Sequence, residues 1–152
     1  MKTVVRLVST FFYIGYIPKV SGTAGSLGGL LFFLLVSYSF PLTVISLLAL
    51  TAAALLVVGK AEELFGKKDS RRIVIDEAIG MMISLLLLPK KPLLVVAAFI
   101  LFRLFDIIKP FPIRRIERTA SPWGVILDDV VAGIYANLAA QFIAIFALKS
   151  GV

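Results

Sequence analysis

The sequence predicts an all-α fold: a polytopic helical membrane protein with about five hydrophobic helices and an N-terminal interfacial helix. Three observations predict it. Of the 152 residues, 60% are hydrophobic and only 16% are charged, against roughly 25% charged in soluble domains. Residues 20–59 form an uncharged run of 40, about twice the ~20 needed to cross a bilayer. Residues 130–148 form a second uncharged run of 19, itself span-length. A chain of this size is one domain, residues 1–152, and is too apolar for disorder.

The elements follow in order. Lys2 and Arg6 precede an apolar stretch interrupted by Ser9, Thr10 and Gly15. That pattern suits an amphipathic helix at the membrane interface better than a cleaved signal. The long run divides at Ser37-Tyr38-Ser39-Phe40-Pro41, where Pro opening a helix and neighbouring Ser signal a turn. Two helices result, about 24–38 and 41–59. Apolar runs at 78–89 and 92–102 follow, separated by Pro89-Lys90-Lys91-Pro92; the second continues to Ile108 despite Arg103 and Asp106. The last helix starts near Trp123 and includes 130–148.

Charge supplies the orientation. Lys2, Arg6, Lys19, Lys60, Lys67, Lys68, Arg71, Arg72, Arg114, Arg115 and Arg118 fall on one side of a five-span arrangement, and Lys90, Lys91 and Lys149 on the other. Eleven against three predicts the first side, with the N-terminus, to be cytoplasmic and the C-terminus to lie opposite. The net charge of +7 then reflects orientation and attraction to anionic headgroups. It is not a nucleic-acid footprint, because no soluble basic domain presents it.

With no His and no Cys, a Ser-His-Asp triad, an imidazole metal site, a thiolate nucleophile and a zinc–sulfur site are excluded. Chemistry must come from carboxylates, Lys and Arg, hydroxyls, backbone N–H groups or an oxygen-bound metal. Five of the nine acids, Asp76, Glu77, Asp106, Asp128 and Asp129, touch apolar helices, where charge is costly and by default functional. All five converge on the cytoplasmic ends of three helices.

Asp76 and Glu77 open the third hydrophobic helix in Ile75-Asp76-Glu77-Ala78-Ile79-Gly80. Acids in a first turn also serve the helix dipole, which explains one more easily than two. Arg103, Asp106 and Lys109 recur every third residue before Pro110 and Pro112 stop the helix. They read as an intramembrane ion pair with a snorkelling lysine, or as a metal-binding Asp106 with Arg103 and Lys109 on phosphate oxygens. Adjacent Asp128 and Asp129 cannot both stay ionised cheaply without a cation, and a hard ion such as Mg²⁺ supplies one; the alternative is helix packing with one Asp protonated. Ser21-Gly22-Thr23-Ala24-Gly25-Ser26 precedes a helix whose N-terminus favours an anion, or is a plain cap with glycine packing. Glu62, Glu63, Asp69 and Glu117 read as solvated loop charges.

Clustered carboxylates, basic side chains and a small-residue helix start suit metal-assisted phosphoryl transfer on a membrane lipid. The segments Ser21 to Ser26, Ile75 to Gly80, Phe102 to Ile113 and Gly124 to Gly133 occur in this order. Together they resemble the phosphatidylglycerophosphatase A family over nearly the whole chain. The resemblance implies a Mg²⁺-dependent phosphatase of the bacterial inner membrane, acting on the anionic phospholipid phosphatidylglycerophosphate. It implies Asp76, Glu77, Asp106, Asp128 and Asp129 as metal and catalytic carboxylates, and Thr23, Arg103 and Lys109 on the phosphate side. The nucleophile, an Asp or an activated water, stays open. A CDP-alcohol phosphotransferase is disfavoured because its aspartate spacing is absent. A small ion or proton transporter using intramembrane carboxylates is the alternative; transport sites lie nearer the bilayer midplane, whereas these acids crowd one end. A purely structural membrane subunit is the remaining reading.

Overall fold

The structure, a computed structural model, describes residues 1–149. Among them the chain is entirely helical, with no strand. Helix α1 (Lys2–Ser9) and a 3₁₀ turn (Ile14–Tyr16) lead into α2 (Ser21–Val36) and α3 (Phe40–Phe65). The central α4 (Ile75–Ser84), α5 (Pro92–Ile108), the short α6 (Ile113–Ile116) and α7 (Trp123–Lys149) follow. The expected apolar helices are α2, α3, α4, α5 and α7. Two of them, α3 and α7, are long and apolar enough to cross a membrane, whereas α2 is a shorter apolar helix. The expected outward C-terminus falls outside the described residues.

Local chemistry explains most boundaries. Pro41 sits in the first turn of α3, and Pro92 in that of α5, where a missing N–H costs nothing. Gly66 closes α3 with φ +68, in the left-handed region glycine favours. The sequence places the end of α3 at 59, but Lys60, Glu62 and Glu63 continue it as a polar last turn and a half. Glu62 and Glu63 are therefore helical and not loop residues. Helix α2 starts at Ser21, earlier than expected, because its small residues are packing sites. A Cβ on Gly25 would meet Val74, and one on Gly29 would lie 2.5 Å from the Ala78 carbonyl oxygen.

Helix α4 is the hub, packed by α2, α3, α5 and α7. Ile75, Ala78, Ile79, Met81 and Met82 are completely buried. Ile75, Ala78 and Ile79 pack with Ala54, Val58 and Ile126, whereas Met81 and Met82 pack with Phe102 and Ala136. With 10 residues, α4 is only ~15 Å long and cannot cross a bilayer core of about 30 Å alone. Its end therefore leaves carbonyls inside the protein. Asn137 of α7 meets two of them, donating to Ser84 at 3.1 Å and Leu86 at 2.7 Å. Gln141 in turn donates to Asn137 at 2.7 Å. Backbone groups away from water need such partners, a role the sequence did not reveal.

The backbones of α4 and α7 touch. A Cβ on Gly133 would lie 2.4 Å from the Gly80 carbonyl oxygen. Gly133→Val should therefore force the helices apart and lower stability by about 3 kcal/mol. Gly59→Ala, where a Cβ meets nothing within 4 Å, should be neutral or slightly stabilising. Thermal unfolding in detergent checks both; equal melting temperatures would contradict this packing.

Outward faces are apolar. Leu31 and Leu35 of α2, Leu48 and Leu56 of α3, Ile100 of α5 and Leu138 and Phe142 of α7 are all exposed. The apolar window of α3 is only 17% buried, unlike the core helix of a soluble protein. So many exposed large apolar side chains fit a lipid environment. The bundle has two distinct polar ends. At one, Lys68 donates to the Thr119 carbonyl at 3.2 Å, joining the loops before α4 and α7. At the other, Lys90 hydrogen-bonds the Ser37 carbonyl, joining the α2–α3 and α4–α5 turns. On the first end, α1 packs on α3 and Ser9 accepts the Val74 N–H at 3.0 Å, bracing the approach to α4.

Candidate active site

The side chains of Asp76, Glu77, Asp106, Asp128, Asp129, Thr23, Arg103 and Lys109 line one cavity of about 340 Å³ at the end of the bundle where α2 and α4 start. The hub arrangement brings them together. Helix α4 contributes its first turn, α5 its last turns and α7 its second, and α2 closes one wall.

Asp76, Glu77 and Asp129 are the tightest group. One carboxylate oxygen from each lies within 4.8 Å of the others. Asp76 and Asp129 are 5% and 4% exposed, and an oxygen of each of the three is buried without a hydrogen-bond partner. No side chain caps the start of α4, so the acids do not serve as caps. Among the described residues none of the three forms an ion pair. Three carboxylates so close, largely buried and with no ion pair, repel one another unless a cation joins them.

The other two acids are paired. Arg103 donates to Asp106 at 2.6 Å and to Ser26 at 3.3 Å, while its buried Nε has no partner. The expected stripe of Arg103, Asp106 and Lys109 is broken, because α5 ends at Ile108 and Lys109 takes φ +49 as the cap. That turn carries the Lys109 ammonium to α7, where it donates to Asp128 at 2.7 Å, and to Glu117 at 2.8 Å. Burial alone would lower the Lys109 pKa, but its bonds to Asp128 and Glu117 outweigh this and raise it. Lys109 stays charged and holds Asp128 in place.

The small-residue segment is not a loop before the helix but its first turn. The N–H groups of Ser21, Gly22 and Thr23 precede the first helical bond, Ala24 to Val20, and no side chain caps them. These residues line the same cavity. A Cβ on Gly22 would stand 2.8 Å from Glu77 Oε1 and 3.3 Å from Arg103 Nη2, so the start of α2 lies directly against both groups and a larger residue would displace their side-chain ends. Two residues read as solvated loop charges belong here instead: Glu117 bonds Lys109, and Asp69 lines the cavity. Lys19, Arg71 and Ser26 were also missed. Among loop charges and short polar side chains, no spacing marks which ones fold back over a site.

Comparison with known proteins gives the family. The phosphatidylglycerophosphatase A family model matches residues 7–144. A Bacteroides thetaiotaomicron protein is 37% identical over 142 residues, 86% of this chain and 87% of its own, and carries the provisional name phosphatidylinositol-3-phosphatase. Escherichia coli phosphatidylglycerophosphatase A is 36% identical over 133 residues, covering 85% of this chain and 77% of its own. The Haemophilus influenzae protein of the same name is 34% identical over 139 residues, 87% and 83% of the two chains. No solved structure matches the chain. With nearly its full length matched, and the four motifs folded around one cavity, the chain belongs to the phosphatidylglycerophosphatase A family.

Proposed function

We propose that the chain is a Mg²⁺-dependent lipid phosphatase that converts phosphatidylglycerophosphate to phosphatidylglycerol and phosphate at the cytoplasmic face of the bacterial inner membrane. The observation that carries this reading is the unpaired trio Asp76, Glu77 and Asp129 beside Arg103 in one cavity, in a chain of this family. Three unpaired carboxylates suit a hard divalent cation with oxygen ligands, so Asp76, Glu77 and Asp129 would hold Mg²⁺, with Asp106 and Asp128 beside them. Bound there, the ion would neutralise phosphate charge and polarise phosphorus.

The chain's own groups account for the rest. Arg103, with its unpartnered Nε, and the open N–H groups at the α2 start receive non-bridging phosphate oxygens, with Thr23 beside them. Lys109 and Arg103 hold the Asp128 and Asp106 carboxylates in place through ion pairs, so either carboxylate can attack phosphorus or take a proton from water. In the net reaction the P–O bond to the headgroup breaks, the oxygen of water ends on phosphorus and its proton on the headgroup oxygen. A site at headgroup depth reaches the lipid without extracting it.

The test is phosphate release from phosphatidylglycerophosphate by purified protein in detergent. Turnover with Mg²⁺ and none with chelator is expected. No release by well-folded protein with Mg²⁺ would sink the reading and favour a transporter. The name of the Bacteroides relative favours a second substrate, phosphatidylinositol 3-phosphate, and the same assay with that lipid compares the two.

Orientation has its own check, aided by the absence of Cys. In intact cells stripped of outer membrane, Lys91→Cys should react with a membrane-impermeant maleimide and Lys67→Cys should not. The reverse pattern would invert the assigned topology.

A further inference from the structure

Beside the carboxylate cavity lies a second concave surface, of about 550 Å³, bounded by Ile108, Lys109, Phe111, Arg114, Arg115 and Arg118. It contains four cations and no acid. Lys109 also lines the carboxylate cavity, so the two share a wall. Among the described residues the three arginines form no ion pair; Arg114 donates to the Ile108 carbonyl, at 3.3 Å. Arg103 and Lys109 of the carboxylate cavity are spent on carboxylates, but here the guanidinium forks are open. The loop that carries them is held, because Tyr135 of α7 donates to the Phe111 carbonyl at 3.1 Å. Phe111 is 79% exposed and Ile107 70%. Large exposed apolar groups next to arginines mark the boundary of acyl chains and headgroups.

The substrate carries two phosphates joined by a glycerol: a terminal monoester, which is hydrolysed, and a bridging diester next to the acyl chains. The open guanidiniums suit an oxyanion bidentately, and the exposed Phe111 marks the side from which acyl chains come. We propose that Arg114, Arg115 and Arg118 form the site for the bridging phosphodiester, selecting lipids with a second phosphate one glycerol away from the scissile one. This rests on the phosphatase reading, which wild-type turnover tests separately.

The experiment measures kcat and KM for phosphatidylglycerophosphate in neutral detergent micelles free of other anionic lipid, with Mg²⁺. Wild type is compared with the triple variant Arg114→Gln, Arg115→Gln, Arg118→Gln, and with the three arginines changed to Lys. The Gln variant should raise KM by roughly tenfold or more, since each lost charged hydrogen bond is worth about that factor. Its kcat should stay within about threefold, and its inhibition by inorganic phosphate competing at the carboxylate cavity should change much less than its KM. The Lys variant should recover part of the loss. An unchanged KM would overturn the proposal and leave the arginines as topology determinants. A KM defect seen only after phosphatidylglycerol is added to the micelles would also overturn it, assigning the surface to a separate anionic lipid. No turnover by wild type would instead remove the phosphatase reading itself.

Discussion

Asp129→Asn is expected to lower kcat/KM by about a thousandfold or more, since even supporting residues around a metal typically contribute 10–100-fold. The substitution keeps side-chain volume at a position only 4% exposed, so the cavity shape survives. It removes one of three carboxylates whose oxygens lie within 4.8 Å of each other. That has an opposite effect on the metal-free protein, where the trio is mutually repulsive. The metal-free variant should melt no lower than wild type, but Mg²⁺ should raise the wild-type melting temperature and not that of Asp129→Asn, because a ligand stabilises only the fold that binds it. Asp128→Asn should also nearly abolish turnover. Glu63→Gln, at the exposed end of α3, should change kcat/KM by less than about twofold. Equal activity in all three variants would dismantle the site assignment.

Arg103→Leu is expected to act twice. Its guanidinium is 17% exposed and pairs with an Asp106 carboxylate that is 15% exposed. Removing one partner of such a pair leaves an uncompensated charge and should lower stability by about 3 kcal/mol. It also removes the donor with an open Nε, so kcat should fall by about a hundredfold. Arg103→Lys keeps the charge but loses the planar fork and should fall between the two. The paired measurement is detergent unfolding and steady-state kinetics on the same preparations. Wild-type kcat in Arg103→Leu would take Arg103 out of the site, and equal rates for Lys and Arg would reduce its role to charge alone.

Much of the candidate site was legible because lipid makes charge expensive. Five of nine acids occur where apolar runs meet basic segments, and all five line one cavity with Thr23, Arg103 and Lys109. Local signals also placed the helix starts at Pro41 and Pro92. The pattern could not say which carboxylate meets which partner. Arg103 and Asp106 are three apart on a continuous helix, so their pairing is local and was readable. Lys109 lies beyond the end of α5, and only the left-handed turn at that residue directs it to Asp128, nineteen positions away. Glu117 and Asp69 looked like ordinary loop charges because nothing in sequence shows a loop folding back over a cavity.

The sequence by itself determined the all-helical class, the order of the apolar helices and the crowding of acids toward basic segments. Each depends on composition and periodicity, which are properties of neighbours along the chain. Tertiary structure decided that the short α4 is the buried hub, that Gly80 and Gly133 bring two backbones into contact, and that Asn137 satisfies the α4 end. It also decided that Asp76, Glu77 and Asp129 stand together unpaired while Asp106 and Asp128 are each tied to a base. The reason is physical: burial, close backbone approach and the choice of ion partner depend on residues distant in sequence, and only packing sets those distances.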